Sequence, residues 1–223
     1  MQRFVLKPRF NNLSEYELKY TDILTYTTIR SFYNSQDKYC YPSYDAISKR
    51  SGLSKKFISE SIKRLECASL LDVWRIIKVR TQHCYKFPTE GTFDKVPFAI
   101  FDQSEFTAQE LSMMLLLHEY CDSTFELNNS ISELASSSGV PYRTLKTQIK
   151  SLLLKGYVVE VEREDFMNQT IEKVLKFTDK IDWCLPGSRS ITIQQDSPKV
   201  STFDVDAVVK MVRKATKMGI KQQ

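Results

Sequence analysis

The stretch Ser43–Leu71, SYDAISKRSGLSKKFISESIKRLECASLL, is followed 87 positions later by a second of the same pattern, Ser130–Val158, SISELASSSGVPYRTLKTQIKSLLLKGYV. Ile47, Gly52, Leu53, Ile58, Ile62, Leu65 and Leu71 hold the places that Leu134, Gly139, Val140, Leu145, Ile149, Leu152 and Val158 hold in the second copy. Ser51-Gly52 falls on Ser138-Gly139, while Lys56 and Lys63 fall on Arg143 and Lys150. Apolar residues recurring every three or four positions predict helices with one buried face. The Ser-Gly step between them predicts a tight turn, because glycine enters the left-handed conformation without a steric penalty. Two short helices joined by such a turn, with basic residues on the outer side, therefore occur twice.

Working outward, Phe4-Val5-Leu6 reads as an extended piece stopped by Pro8. A helix is expected from Leu13 onward, capped by Ser14, with Glu15 and Glu17 at its positive end. Leu18, Ile23, Leu24, Thr27 and Phe32 form its apolar face. Ser43 caps a second helix and Ser54 a third. From Leu70 to Lys86 the period changes, and Val73, Trp74, Ile76, Ile77, Val79 and Tyr85 predict a hairpin with Thr81-Gln82-His83 at its tip.

The second copy repeats this order. Thr107 caps a helix that turns Leu111, Met114, Leu115, His118 and Cys121 inward, and Ser130 caps the next. Pro141 opens the third helix, where a missing N–H costs nothing. Tyr157 to Lys176 then supplies a second hairpin, with Asp165 to Asn168 near its tip. The expected fold is α+β, mainly α: two tandem winged-helix domains, each three helices plus a β-hairpin around its own apolar nucleus, and a C-terminal helix. The boundaries fall at 1–90, 91–182, a linker at 183–202, and a basic amphipathic helix at 203–223. Val205, Val208, Val209, Val212 and Ala215 gather on one side of that last helix, and Lys210, Arg213, Lys214, Lys217 and Lys221 on another.

The composition narrows the function classes. Hydrophobic residues make up 42% of the 223 and charged residues 26%, as in an ordinary soluble protein. The run Met113–Leu117 is far shorter than the ~20 residues of a membrane helix. The N-terminus does not read as a signal peptide, so a cytoplasmic protein is expected. The net charge of +5 is unevenly spread: +7 over residues 1–90, −6 over 91–182 and +4 over 183–223. A basic first third suits a nucleic-acid partner. Five cysteines, odd in number and never spaced as Cys-x-x-Cys, predict no disulfide framework and no zinc site. No phosphate-binding loop, nucleophile elbow or His-rich pattern is present, so neither a cofactor nor an enzyme is expected. His83 and His118 read as structural.

A helix that enters the major groove needs short polar or basic side chains outside and an apolar face holding it to its own domain. In the first copy these outer positions are Lys55, Lys56, Phe57, Ser59, Glu60 and Lys63. Lys55, Lys56 and the backbone at Ser54 suit phosphates, Ser59 and Glu60 suit base edges, and Phe57 suits a thymine methyl. The first hairpin adds Arg75, Lys78 and Arg80. In the second copy the surface is Tyr142, Arg143, Lys146, Thr147, Gln148 and Lys150, with Arg143 fitted to guanine and Gln148 to adenine. Its hairpin is acidic at Glu160, Glu162, Glu164 and Asp165, so the helix is the expected contact there.

Tyr41-Pro42-Ser43-x-x-x-Ile47, Ser51-Gly52-Leu53-Ser54-Lys55-Lys56-x-Ile58, Ile62-x-x-Leu65 and Leu70-Leu71 resemble the winged-helix modules of phage and plasmid replication initiators. Related modules occur in bacterial transcription regulators. The resemblance covers Arg3 to about Phe87 well and Val96 to about Phe177 more loosely. It departs where such modules usually have Gly before the wing: the first copy has Ser69, the second Gly156. It implies site-specific binding of double-stranded DNA, in transcriptional control or replication initiation on a mobile element. A competing function stays open: tandem winged helices also serve as protein-interaction scaffolds in chromosome-segregation accessory subunits. A homodimer or protein partner, engaged through the second domain or the C-terminal helix, is compatible with either.

Overall fold

Two helices carry the apolar centre of the chain, and each is buried on nearly every side. The computed structural model describes residues 3–10, 12–77, 81–88, 92–165 and 170–183; Lys78, Arg80, the expected linker beyond Trp183 and the expected C-terminal helix at 203–223 lie outside the described residues. The described residues form six α-helices and three small sheets. They belong to one unit, residues 1–192, so both expected halves fall within it.

Strand β1 (Phe4–Pro8) leads to a 3₁₀ turn at Leu13–Tyr16, and only then to helix α1 (Tyr20–Arg30). The single helix expected from Ser14 is thus broken. Asn12 caps the short turn by accepting the Ser14 N–H, and Glu17 ends it in a left-handed conformation, φ 55°. The Leu18 N–H closes back on the Leu13 carbonyl, which lets both leucines turn inward. Ser14 caps nothing longer.

Helix α2 (Tyr44–Ser51), helix α3 (Lys55–Cys67) and the antiparallel pair β2 (Asp72–Ile77) and β3 (Thr81–Lys86) follow. The hairpin tip lies nearer the chain start than expected. Thr81-Gln82-His83 is strand, in register with Ile77, Ile76 and Arg75. A bridge from Cys40 to Tyr85 extends this sheet and holds β3 extended.

Strand β4 (Phe93–Pro97) precedes helix α4 (Ala108–Leu117), the short β5 (Glu126–Leu127), helix α5 (Ile131–Ser138), helix α6 (Tyr142–Leu154), and strands β6 (Val158–Asp165) and β7 (Thr170–Phe177). These last strands form a sheet of order β5-β7-β6. Ser69 and Gly156, the residues that differ before the two hairpins, both adopt a left-handed φ, 57° and 70°. The turn is therefore the same, and Ser69 carries the strain that glycine avoids.

The two copies meet through β1 and β4, which pair antiparallel with Phe4 opposite Pro97, Leu6 opposite Lys95 and Pro8 opposite Phe93. Both strands open on Phe and close on Pro, so exchanging the copies reproduces the same pairs. Strands that swap partners in this way are related by a local two-fold axis through the Leu6–Lys95 pair, as in an isologous dimer. Helix α1 packs against α4, its counterpart. The apolar core consequently runs without interruption from Val5 to Trp183, where separate nuclei were expected. Lys7, fully buried on β1, is held by Asp94 on β4 (3.4 Å) and by Glu119 after α4, while Arg9 reaches Asp94 at 3.1 Å. Burial pushes the Glu119 carboxyl above its ordinary range against the pull of Lys7. Its second oxygen accepts the Phe10 N–H.

The glycines of the two helix turns touch the opposite copy. A Cβ on Gly52 would meet Ala108 at an ordinary 3.9 Å, whereas one on Gly139 would lie 2.4 Å from Ser14 Oγ and 2.8 Å from Asn12 Oδ1. Both residues have positive φ, so alanine costs roughly 1–2 kcal/mol of backbone strain at either place. Urea denaturation of Gly52→Ala and Gly139→Ala is expected to show a clearly larger loss for Gly139→Ala. Equal losses would mean that the 3₁₀ turn yields freely.

Candidate nucleic-acid interface

The two helix turns share one Ser-Gly geometry and differ at the start of the third helix. In the first, Ser43 Oγ accepts the Ala46 N–H at 3.1 Å to start α2, and Gly52 ends it at φ 71°. Ser51 Oγ donates to the Ile47 carbonyl and accepts the Leu53 N–H, which fixes the exit of the turn. Ser54 Oγ then accepts the Phe57 N–H and starts α3. In the second, Ser130 and Glu133 form a reciprocal capping box on α5, and Gly139 stands at φ 72°. Ser138 Oγ bridges the Leu134 carbonyl and the Val140 N–H as Ser51 does. Pro141 occupies the cap position of α6 instead of its first turn, and its carbonyl accepts from Thr144 and Leu145. The repeated apolar residues Ile58, Ile62, Leu65 and Leu145, Ile149, Leu152 are all buried, so each third helix is fixed in rotation about its axis.

A carboxylate near the start of α1 and another near the start of α4 each clasp the third helix of their own copy. Asp22, buried on α1, accepts the Lys19 N–H at 2.8 Å and takes Arg64 of α3 in a two-pronged grip at 2.7 and 2.8 Å. That grip raises the Arg64 pKa. Glu110 on α4 closes a capping box with Thr107 and accepts from Ser151 and Lys155, the latter at 2.7 Å, so it holds α6. Burial pushes the Glu110 carboxyl up, but Lys155, Ser151 and Thr107 together pull it down to about 2. Neither clasp was anticipated from the sequence. Their sequence signal is an acid three residues after the cap, Asp22 after Lys19 and Glu110 after Thr107.

With α3 held this way, Ser54, Lys55, Lys56, Glu60 and Lys63 are exposed on one surface, and Ser59 is half-buried beside them. Lys55 pairs with Asp45, but both side chains are more than half exposed (58% and 77%), so the pair yields easily to a phosphate. Phe57 departs from expectation. Its ring packs against the core beneath the Arg64 guanidinium, 5.4 Å away, and does not stand free to meet a thymine methyl. Arg75 is engaged by Glu66 at 2.7 Å, whose hydrogen bond raises its pKa. Lys78 and Arg80 lie outside the described residues.

On α6, Tyr142, Arg143, Lys146, Thr147 and Lys150 are exposed together. Gln148 is not among them: it is half-buried, and its Oε1 is shut off from solvent. A two-pronged contact with adenine would require that side chain to swing out. The second hairpin keeps Glu160, Glu162 and Lys173 exposed, while two of its cations are engaged, Lys176 by Glu126 at 2.8 Å and Arg163 by Asn128 at 2.7 Å. Its outer side is acidic, as the sequence implies.

Among the described residues, no helix is long and apolar enough to cross a membrane, and no group of three or more His, Cys, Asp and Glu is placed to hold a metal ion. His118 is buried in an aromatic box, stacked 4.7 Å from Trp183 with Phe125 and Phe177 around it. His83 sits in β3, not on the hairpin tip.

Comparison with known families agrees with this geometry. Residues 16–71 are similar to a family described as a helix-turn-helix domain; the match runs from the 3₁₀ turn through α1, α2 and α3. No curated protein matches the chain. A helix-turn-helix domain suggests DNA as the partner of this region.

The clasps carry distinct signatures in denaturation. Replacing Asp22 by Asn weakens the hold on Arg64, which keeps some solvent exposure, and is expected to cost roughly 2–3 kcal/mol. Glu110 has a depressed pKa in the folded state, so its contribution is complete above the ordinary carboxylate pKa. It is lost as pH falls toward about 2. Glu110→Gln should therefore destabilise the protein at neutral pH and flatten the acid limb of its stability curve. An unchanged acid limb would show that the clasp is not formed.

Proposed function

We propose that the chain is a non-enzymatic, site-specific double-stranded DNA-binding protein built from two tandem winged helices. Its role is that of a transcriptional regulator or a replication initiator on a mobile element, acting in the cytoplasm. The observation that carries this proposal is the pair of rigidly clasped third helices, α3 and α6, each with its cations exposed on one surface. The helix-turn-helix match over residues 16–71 supports it.

Lys55, Lys56, Lys63, Arg143, Lys146 and Lys150 serve as phosphate contacts or reach guanine, while Ser59, Glu60 and Thr147 lie where base edges are read. The fitting ligand is a duplex that presents one half-site to α3 and another to α6. The two surfaces carry different side chains, so its two halves differ in sequence. The acidic second hairpin favours docking of that copy through α6 alone. That same hairpin is the feature that favours the competing role, a scaffold that meets a protein through its second copy.

The triple variant Lys55→Ala, Lys56→Ala, Lys63→Ala separates the two. A DNA binder loses affinity for every duplex, and its slope of log affinity against log salt becomes shallower by about 2–3. A scaffold shows no salt-dependent duplex binding before or after the change.

A further inference from the structure

His83 and Arg75 stand opposite each other on the first hairpin, directly paired in register. Side chains of such a pair lie on the same side of the ribbon. Tyr44, the first residue of α2, lies over the imidazole with ring centroids 5.0 Å apart, and Tyr85 flanks it at 6.1 Å. Glu66 of α3 holds the Arg75 guanidinium at 2.7 and 3.3 Å. The charged and titratable groups around His83 are thus Tyr44 from α2, Glu66 from α3, Arg75 from β2 and Tyr85 from its own strand. With a neutral imidazole the cluster carries one cation and one anion, which cancel.

We propose that Tyr44, Arg75 and His83 form a phosphate seat between the start of α2 and the first hairpin, closed by Glu66 and opened by protonation of His83 when duplex DNA binds. The seat deepens the DNA-binding proposal and rests on it. Half-burial and the neighbouring Arg75 hold the imidazole below its ordinary pKa, against the opposing pull of Glu66, so the free protein carries it neutral near neutral pH. A phosphate oxygen set against it favours the charged form. Binding therefore takes up a proton, and affinity rises as pH falls. The same phosphate draws Arg75 away from Glu66, a pair with both members more than a third exposed and cheaply broken.

The chain has only two histidines, and His118 is fully buried in its aromatic box. The pH response of the seat is therefore isolated by one substitution. Fluorescence anisotropy with a random-sequence duplex is measured over a salt series at about pH 5.5 and about pH 7.5 for the wild type, His83→Gln and Glu66→Gln. Wild-type affinity at low salt is expected to rise about threefold to tenfold at the lower pH, with a salt slope steeper by about one. His83→Gln should bind with nearly the same slope at both pH values, and Glu66→Gln should bind more tightly than the wild type at the higher pH. Thermal melts confirm that each variant is folded. A His83→Gln protein that keeps the wild-type pH response, or a wild type without one, overturns the seat while leaving DNA binding intact. Absence of salt-dependent duplex binding by the wild type at either pH overturns the DNA-binding proposal itself, and the seat with it.

Discussion

The antiparallel pairing of Phe4–Pro8 with Phe93–Pro97 is the constraint on which the remaining structure depends. It joins the first residues of each copy and sets a local two-fold axis. It also brings α1 against α4, so that each of these two buried helices is covered by the other. Lys7, Asp94 and Glu119 lie buried at this junction, where the Lys7 ammonium offsets the two carboxylates. Removing Lys7 would leave two carboxylates in the interior without the cation they share, so the cluster favours this pairing over a shifted one. A slip of one residue would also turn Val5 and Val96 outward.

From that shared centre the two third helices are positioned by carboxylates at the starts of α1 and α4. Asp22 and Glu110 each satisfy a helix N-terminus and hold a neighbouring helix with the same side chain. The outer faces of α3 and α6 are left free of structural duty, and their lysines and arginines stay solvated. The copies then diverge. The first hairpin gathers Arg75 and His83 beside Tyr44, whereas the second exposes Glu160 and Glu162 and engages Arg163 and Lys176 internally. A duplex would meet two related but unequal surfaces, with hairpin contacts confined to the first.

The repeated helices were legible because short-range rules decide them. Ser43, Ser54 and Ser130 cap, Gly52 and Gly139 turn, and the buried face recurs at helical spacing. Strand β4 was not legible, since Phe93-Asp94-Lys95-Val96-Pro97 has no strand signature apart from its partner β1, 85 or more residues away in sequence. The shared core escaped notice for the same reason: long-range pairing leaves no local pattern. Helical position alone puts Phe57 and Gln148 outward. An aromatic ring gains more by covering the core edge, and a glutamine long enough to fold inward can do so. The break at Glu17 was hidden because a left-handed glutamate has no sequence mark as glycine does.

On the proposed function, a duplex covers the exposed sides of α3 and α6. Amide NMR spectra of the labelled chain, recorded as a duplex selected from random sequence is added, test this most directly. The account predicts that the largest shifts fall on Ser54 to Lys63 and Tyr142 to Lys150, with the β1–β4 amides unmoved. Spectra in which both helices stay unchanged while the duplex binds elsewhere, or does not bind, would contradict it.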